Sequence, residues 1–148
     1  MLELKKNETE AISFWKNELG QVSKIQKALK NNEVAIAIVP SSSPYEKNLS
    51  GIGALGQELI KEHNDLIDAI FCLERYQKID KLSQGGNRNI DVHLNSIQVV
   101  NSYLIQNKNV LLLDDVTTTG NSLNACRKLL REAGAKKILC LALAKTKR

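Results

Sequence analysis

The chain has 148 residues, 43% of them apolar and 25% charged, with a formal net charge of +5. That length and balance suit a single globular domain with one core. No apolar run approaches the ~18 residues of a membrane helix, and the polar start, MLELKKNETE, lacks the apolar stretch of a secretory signal.

Residues 1–32 read as helical. Ile12, Trp15 and Leu19 fall on one face, and Val22, Ile25 and Leu29 on another, with Gly20 as a break between them. The period then changes. VAIAIVP, residues 34–40, is short, apolar and rich in β-branched residues, the pattern of a strand buried on both faces. SSSPYEKNLS follows as a loop, and Ser50 is a candidate cap for a helix running to about His63. LIDAIFCL, residues 66–73, predicts a second strand. Residues 75–89, RYQKIDKLSQGGNRN, are polar with a Gly-Gly pair and predict a long mobile loop. HLNSIQV, residues 93–99, predicts a third strand, and NVLLLDD, residues 109–115, another. Residues 122–133 predict a helix that Gly134 closes, and KILCLALA, residues 137–144, the last strand. Strands alternating with helices mean an α/β fold with a mostly parallel sheet.

Cys72, Cys126 and Cys140 form no C-x-x-C pair, so neither a disulfide framework nor a zinc site is expected. Cys72 and Cys140 sit in apolar runs as small core residues. Together with the missing signal and span, this points to the cytoplasm and to no membrane partner. Charge is uneven. Residues 127–148 carry Arg127, Lys128, Arg131, Lys136, Lys137, Lys145, Lys147 and Arg148 against Glu132 alone. A nucleic-acid patch is one reading. The lack of nearby aromatic stacking partners favours a solvated helix face instead.

The chemistry concentrates in VLLLDDVTTTGNS, residues 110–122. In open α/β sheets, ligands bind beyond the carboxyl ends of the strands. Here a strand end leads into a helix start, which supplies backbone N–H groups and the positive end of a helix dipole. Thr117, Thr118, Thr119 and Ser122 add hydroxyls, and Gly120 lets the backbone approach closely. These groups suit a phosphate. Asp114 and Asp115 only accept hydrogen bonds, so they suit vicinal hydroxyls of a sugar. Donors for a phosphate beside acceptors for a diol describe a ribose 5-phosphate site. A plain acidic turn capping a helix is the competing reading.

Residues 110–123 resemble, position for position, the phosphoribosyl-pyrophosphate motif of type I phosphoribosyltransferases, and the resemblance extends loosely over residues 33–145. IVP at residues 38–40, Arg88 with Asn89, and DDVTTTG together resemble the ComF-like, competence-associated group. The resemblance implies a Rossmann-like core over residues 33–148 with helices on both faces of its sheet. Residues 1–32 would form a small helical hood, within a single domain overall. It implies that Asp114 and Asp115 hold the ribose hydroxyls, and that Thr118, Thr119, Gly120, Asn121 and Ser122 hold the 5-phosphate, with Thr117 a further substrate-binding candidate from its hydroxyl. Ser41, Ser42 and Ser43 would face the pyrophosphate. Residues 75–89 would close over it, with Arg88 preferred over Lys47, Arg75, Lys78 and Lys81 as the cation that stabilises the leaving pyrophosphate. Arg88, Asp114 and Asp115 would be the catalytic residues. Magnesium (Mg2+) is the implied cofactor. It would bridge pyrophosphate and ribose oxygens, with Asp114 and Asp115 reaching it through water rather than as direct ligands. The implied partner is phosphoribosyl pyrophosphate or another ribose 5-phosphate, and a homodimer is allowed. The implied reaction is transfer of the phosphoribosyl group to a nitrogen nucleophile with release of pyrophosphate.

Two features depart from the purine-salvage pattern. Thr118 stands where such enzymes often carry a carboxylate base, and a threonine hydroxyl cannot take that role at neutral pH. The base-recognising hood would have only the N-terminal helices to build it. Phe14 or Trp15 are stacking candidates there, although core packing is the stronger reading. GIGALG, residues 51–56, fits G-x-G-x-x-G, but the ten-residue loop before it separates it from the first strand, so close helix–sheet packing explains it better. His63 and His93 have no clustered partner and are not expected to be ligands. Adjacent carboxylates on a strand point to opposite faces, which argues against a two-carboxylate hydrolase. Three functions stay open: a phosphoribosyltransferase, a non-catalytic sensor of phosphoribosyl pyrophosphate or a nucleotide, and a ComF-like accessory of DNA uptake or handling.

Overall fold

A computed structural model describes residues 33–41, 52–79, 89–117 and 120–145, with residues 115–117 and 143–145 described as backbone alone. The predicted N-terminal helices, and the hood assigned to them, lie outside the described residues.

The first strand, β1 (Val34–Ile38), is buried almost throughout, as its unbroken apolar run requires. Helix α1 (Ile52–Glu62) follows and leads to β2 (Leu66–Asp68). Next come β3 (Leu73–Arg75), a short helix α2 (Ile90–Leu94) and β4 (Ile97–Val99). The chain then passes through a single 3-10 turn at Ser102–Leu104 into β5 (Asn109–Thr117), helix α3 (Asn121–Glu132) and β6 (Lys137–Lys145).

The main sheet has the order β2-β1-β5-β6, and every neighbouring pair is parallel. Its two faces are sorted by residue parity. Val34, Ile36, Leu111 and Leu113 face α1 through Ile52, Leu55 and Leu59. Ala35, Ala37, Val110 and Leu112 belong to the opposite layer with Leu123, Cys126 and Leu130 of α3. This is the expected α/β architecture with helices on both faces. The small antiparallel sheet β3-β4 joins the α3 layer through Leu73 and Ile97. Gly56 sits directly over β1: a Cβ there would lie 3.5 Å from Ile36 Cγ2. That matches the close-packing reading of GIGALG.

The structure corrects four sequence expectations. Residues 66–73 do not form one strand. Asp68 Oδ1 accepts a hydrogen bond from the Ile70 amide at 3.2 Å, and the Cys72 amide donates to the Ala69 carbonyl at 3.0 Å. These bonds turn the chain out of the main sheet, and β3 then pairs with β4. The run is apolar because Ile70 and Cys72 are buried in the turn itself. Residues 93–99 are not all strand either. Asn89 caps α2 by accepting from the Val92 amide at 3.0 Å, and His93 belongs to that helix. Both ends of the predicted loop over 75–89 belong to regular elements, Arg75 as the last residue of β3 and Asn89 as a helix cap; residues 80–88 lie outside the described residues. Finally, β5 does not stop at the aspartates. Its backbone stays paired to β6 as far as Thr117 opposite Lys145.

Candidate functional site

From β1 the chain crosses through α1 to β2 on one side, and from β5 it crosses through α3 to β6 on the other. The sheet order therefore reverses between β1 and β5. In open α/β sheets such a switch point is where a ligand crevice is expected, at the carboxyl ends of the two strands. The Val39 amide donates to the Leu113 carbonyl at 2.9 Å, so the two strands stay in register up to the crevice. Asp114 is the next residue of β5, and Ser41 lies two residues beyond Val39.

Asp114 shares the parity of Val110 and Leu112 and faces the α3 layer. It is only 7% exposed. A buried carboxylate needs compensating donors or positive charge. Its field reaches the Cys126 thiol of α3, where burial dominates and pushes the pKa far up; Arg75 opposes that rise and Asp114 adds to it. The charges of Arg75 and Asp114 thus both act on one buried thiol of α3. Asp115 and Thr117 continue the β5 backbone, and Thr118 and Thr119 lie outside the described residues.

Gly120 has φ 81° and ψ 2° and is the N-cap of α3. A left-handed cap favours glycine. The Asn124 amide donates to its carbonyl at 2.9 Å, which starts the helix, and Asn121 and Ser122 form the first turn. That turn carries no acidic residue, so the positive end of the α3 dipole is not offset by a carboxylate of its own helix.

On the β1 side, the Ser41 carbonyl accepts from Arg75 Nε at 2.8 Å. Ser42, Ser43 and Arg88 lie outside the described residues. Arg75 itself is a finding against expectation. It was grouped with the lid cations, yet it is 3% exposed. Its guanidinium also donates to Ser96 Oγ at 2.5 Å and faces His93 Nδ1 at 3.4 Å. Because a guanidinium has no acceptor, Nδ1 must accept, which assigns the proton of a neutral His93 to Nε2. Ser96 Oγ in turn donates to the Val92 carbonyl at 2.7 Å. Arg75, His93, Ser96 and Asp114 are the buried polar or charged residues among those described. The sequence signal for Arg75 was its parity with Leu73 on a strand, which puts both inward.

Burial also raises the other two thiols, that of Cys72 to about 12. They are core groups rather than nucleophiles at neutral pH. No helix among the described residues is long and apolar enough to cross a membrane.

Solved structures with this fold include a hypoxanthine phosphoribosyltransferase from Staphylococcus aureus, at 18% identity and TM-score 0.55, covering 93% of this chain and 64% of that one. A hypoxanthine-guanine phosphoribosyltransferase from Bacillus anthracis is similar at 16% identity and TM-score 0.56, covering 97% and 72%. An adenine phosphoribosyltransferase from Rhodothermus marinus is similar at 17% identity and TM-score 0.56, covering 93% and 69%. The chain thus spans about two thirds of the length of such enzymes, and at these identities the likeness shows the fold. No curated protein matches the chain at a significant level. The model of the phosphoribosyl transferase domain matches residues 75–148, half of the sequence and the half that contains β5, its aspartates and the start of α3, and the chain belongs to that family.

Proposed function

We propose that the β1–β5 crevice binds phosphoribosyl pyrophosphate and that the protein transfers its phosphoribosyl group to a nitrogen nucleophile. The observation that carries this reading is the meeting of two opposite chemistries at one switch point. Buried Asp114 ends the apolar part of β5. Six residues later an acid-free helix start opens through left-handed Gly120. The first accepts hydrogen bonds from sugar hydroxyls; the second donates to a phosphate.

In this reading Asp114 and Asp115 hold the ribose 2- and 3-hydroxyls. Thr117, Thr118, Thr119, Gly120, Asn121 and Ser122 hold the 5-phosphate. Ser41, Ser42 and Ser43 meet the pyrophosphate. The nitrogen lone pair attacks the anomeric carbon, the carbon–oxygen bond to pyrophosphate breaks, and its electron pair leaves with pyrophosphate while the nitrogen loses a proton. The protein's part is positioning and charge stabilisation, with Arg88 as the cation for the leaving group. The site's oxygen donors suit magnesium, which Asp114 and Asp115 would hold through water and which would neutralise phosphate charge. Thr118 points the acceptor away from hypoxanthine and guanine, because it supplies no base. The order IVP, Arg88–Asn89, DDVTTTG supports kinship with the ComF-like group within the family.

The test is pyrophosphate release from phosphoribosyl pyrophosphate and magnesium across a panel of amines and bases. The proposal expects turnover with at least one nitrogen acceptor. Tight binding with no turnover on any acceptor would make the protein a sensor instead.

A further inference from the structure

Helix α3 carries its positive charge on one side. At about 100° per residue, Arg127, Arg131 and Lys128 fall on an exposed arc about 100° wide, with Asn124 inside it. Leu123, Cys126 and Leu130 take the buried side. Burial raises the Cys140 thiol of β6, and the Arg127 and Arg131 guanidiniums both oppose that rise. The arc therefore lies along the β6 side of the helix, and β6 ends the sheet order among the described residues. Past the helix, Lys136 is exposed, with its amide donating to the Lys108 carbonyl at 2.8 Å. Lys137 opens β6 with the parity of Leu139 and Leu141, which pack in the α1 layer, so it belongs to the other face.

The fold does not neutralise these charges. Neither an ion pair nor a side-chain hydrogen bond holds Arg127, Lys128, Arg131 or Lys136 among the described residues. Glu132, the acid four residues after Lys128, stands outside the arc and makes no ion pair with it. Cations gathered on one surface raise a positive potential, whose complement is a row of phosphates. A membrane surface also needs apolar anchors. The exposed large hydrophobics among the described residues, Phe71, Tyr76, Ile90 and Tyr103, all lie on other elements. A single strand needs aromatic platforms, which the arc lacks for the same reason. Duplex RNA is read largely through its 2′-hydroxyls, and Asn124 is the one neutral polar residue on the arc. Duplex DNA needs only cations in line: it carries a charge every ~1.7 Å, so the ~18 Å length of α3 matches about ten phosphates.

We propose that the α3–β6 side of the molecule binds the backbone of double-stranded DNA without sequence preference, through Arg127, Lys128, Arg131 and Lys136. The surface is independent of what the crevice binds, since none of the four belongs to the ribose or phosphate contacts. The two guanidiniums, one helical turn apart, can each take two phosphate oxygens, and the lysines add point charges beside them.

The experiment titrates the full chain into a labelled, mixed-sequence DNA duplex of about 20 base pairs and follows anisotropy between about 50 and 200 mM salt. The expected slope of log affinity against log salt is about −3 to −4, from ~0.9 for each phosphate met. Arg127→Gln together with Arg131→Gln should cut its magnitude by about 2 and weaken binding at the lowest salt more than about tenfold. Lys137→Gln removes the same kind of charge from the other face and should leave the slope unchanged. Thermal unfolding should match wild type in every variant, because the side chains are exposed and unpaired, so weaker binding is not loss of fold. Undetectable binding at the lowest salt would overturn the proposal. So would a slope that the double variant keeps, or one that Lys137→Gln lowers equally, which would leave net charge as the whole cause. Unlabelled single-stranded DNA, duplex RNA, polyglutamate and anionic phospholipid vesicles should each compete less well than the unlabelled duplex at equal charge. Any of them competing as well or better would overturn the choice of DNA duplex as the partner.

Discussion

Two glycines make opposite demands on their surroundings. Gly120 is at φ 81°, and among the described residues a built Cβ would meet only Asn124 Nδ2, at 3.9 Å. Its constraint is the backbone. Gly56 lies inside α1, and a Cβ there would make ordinary contact with Ile36 and Ile70 at 3.5 Å. Gly120→Ala should therefore destabilise by ~1–2 kcal/mol, the strain of a left-handed residue. Gly56→Ala should instead stabilise by ~0.5–1 kcal/mol by removing glycine's entropy from a helix interior. Denaturant midpoints of the two variants check both signs. The motif around Gly120 was legible in the sequence because the glycine follows a strand and precedes a helix, and the close packing at Gly56 was legible in GIGALG. The true place of Arg75 was not, because a charged residue at the end of an apolar run reads equally as the first residue of a loop.

At the scale of elements, α3 does two jobs. Leu123, Cys126 and Leu130 are buried against the sheet, and its far end closes on Gly134, with the Ala135 amide donating to the Leu130 carbonyl at 3.0 Å and the Gly134 amide to the Arg131 carbonyl at 3.1 Å. That double closure is a Schellman motif and fixes where the helix stops. The near end is left without an acid. Asn121→Asp should then raise the stability of the unliganded protein by ~0.3–1 kcal/mol through the helix dipole. The same change should weaken binding of ribose 5-phosphate on the order of tenfold, the effect of ~1.4 kcal/mol of like-charge repulsion. Thermal unfolding and calorimetry read the two effects; a helix that serves only to pack would show the first without the second. Sequence periodicity found this helix to within a residue, and β1 and β6 almost as closely. It joined β2 to β3 because their linker is apolar, and apolarity alone does not separate a buried turn from a strand. It placed His93 and Leu94 of α2 in a strand because five residues are too few to display a helical period, and the capping role of Asn89 emerges only from its bond to Val92.

For the whole molecule, function follows from topology. The α/β class was legible because β-branched apolar runs alternate with helical stretches. The order β2-β1-β5-β6 was not, since nothing local to β1 says that β5, some seventy residues later, is its neighbour. That pairing makes the β1–β5 crevice a switch point, puts the Val39–Leu113 bond just before Asp114, and sets the aspartate pair within the paired length of β5 rather than in a free loop. The central claim is that this crevice binds phosphoribosyl pyrophosphate through Asp114 and Asp115. The most direct test is thermal unfolding with and without phosphoribosyl pyrophosphate and magnesium, for wild type and for the double variant Asp114→Asn with Asp115→Asn. With ligand at about 100 times its Kd, wild type should gain ~2.7 kcal/mol and a Tm rise of roughly 5–10 °C. The double variant should unfold cooperatively without ligand and show no rise when ligand is added. An equal rise in the double variant, or none in wild type, would contradict the account.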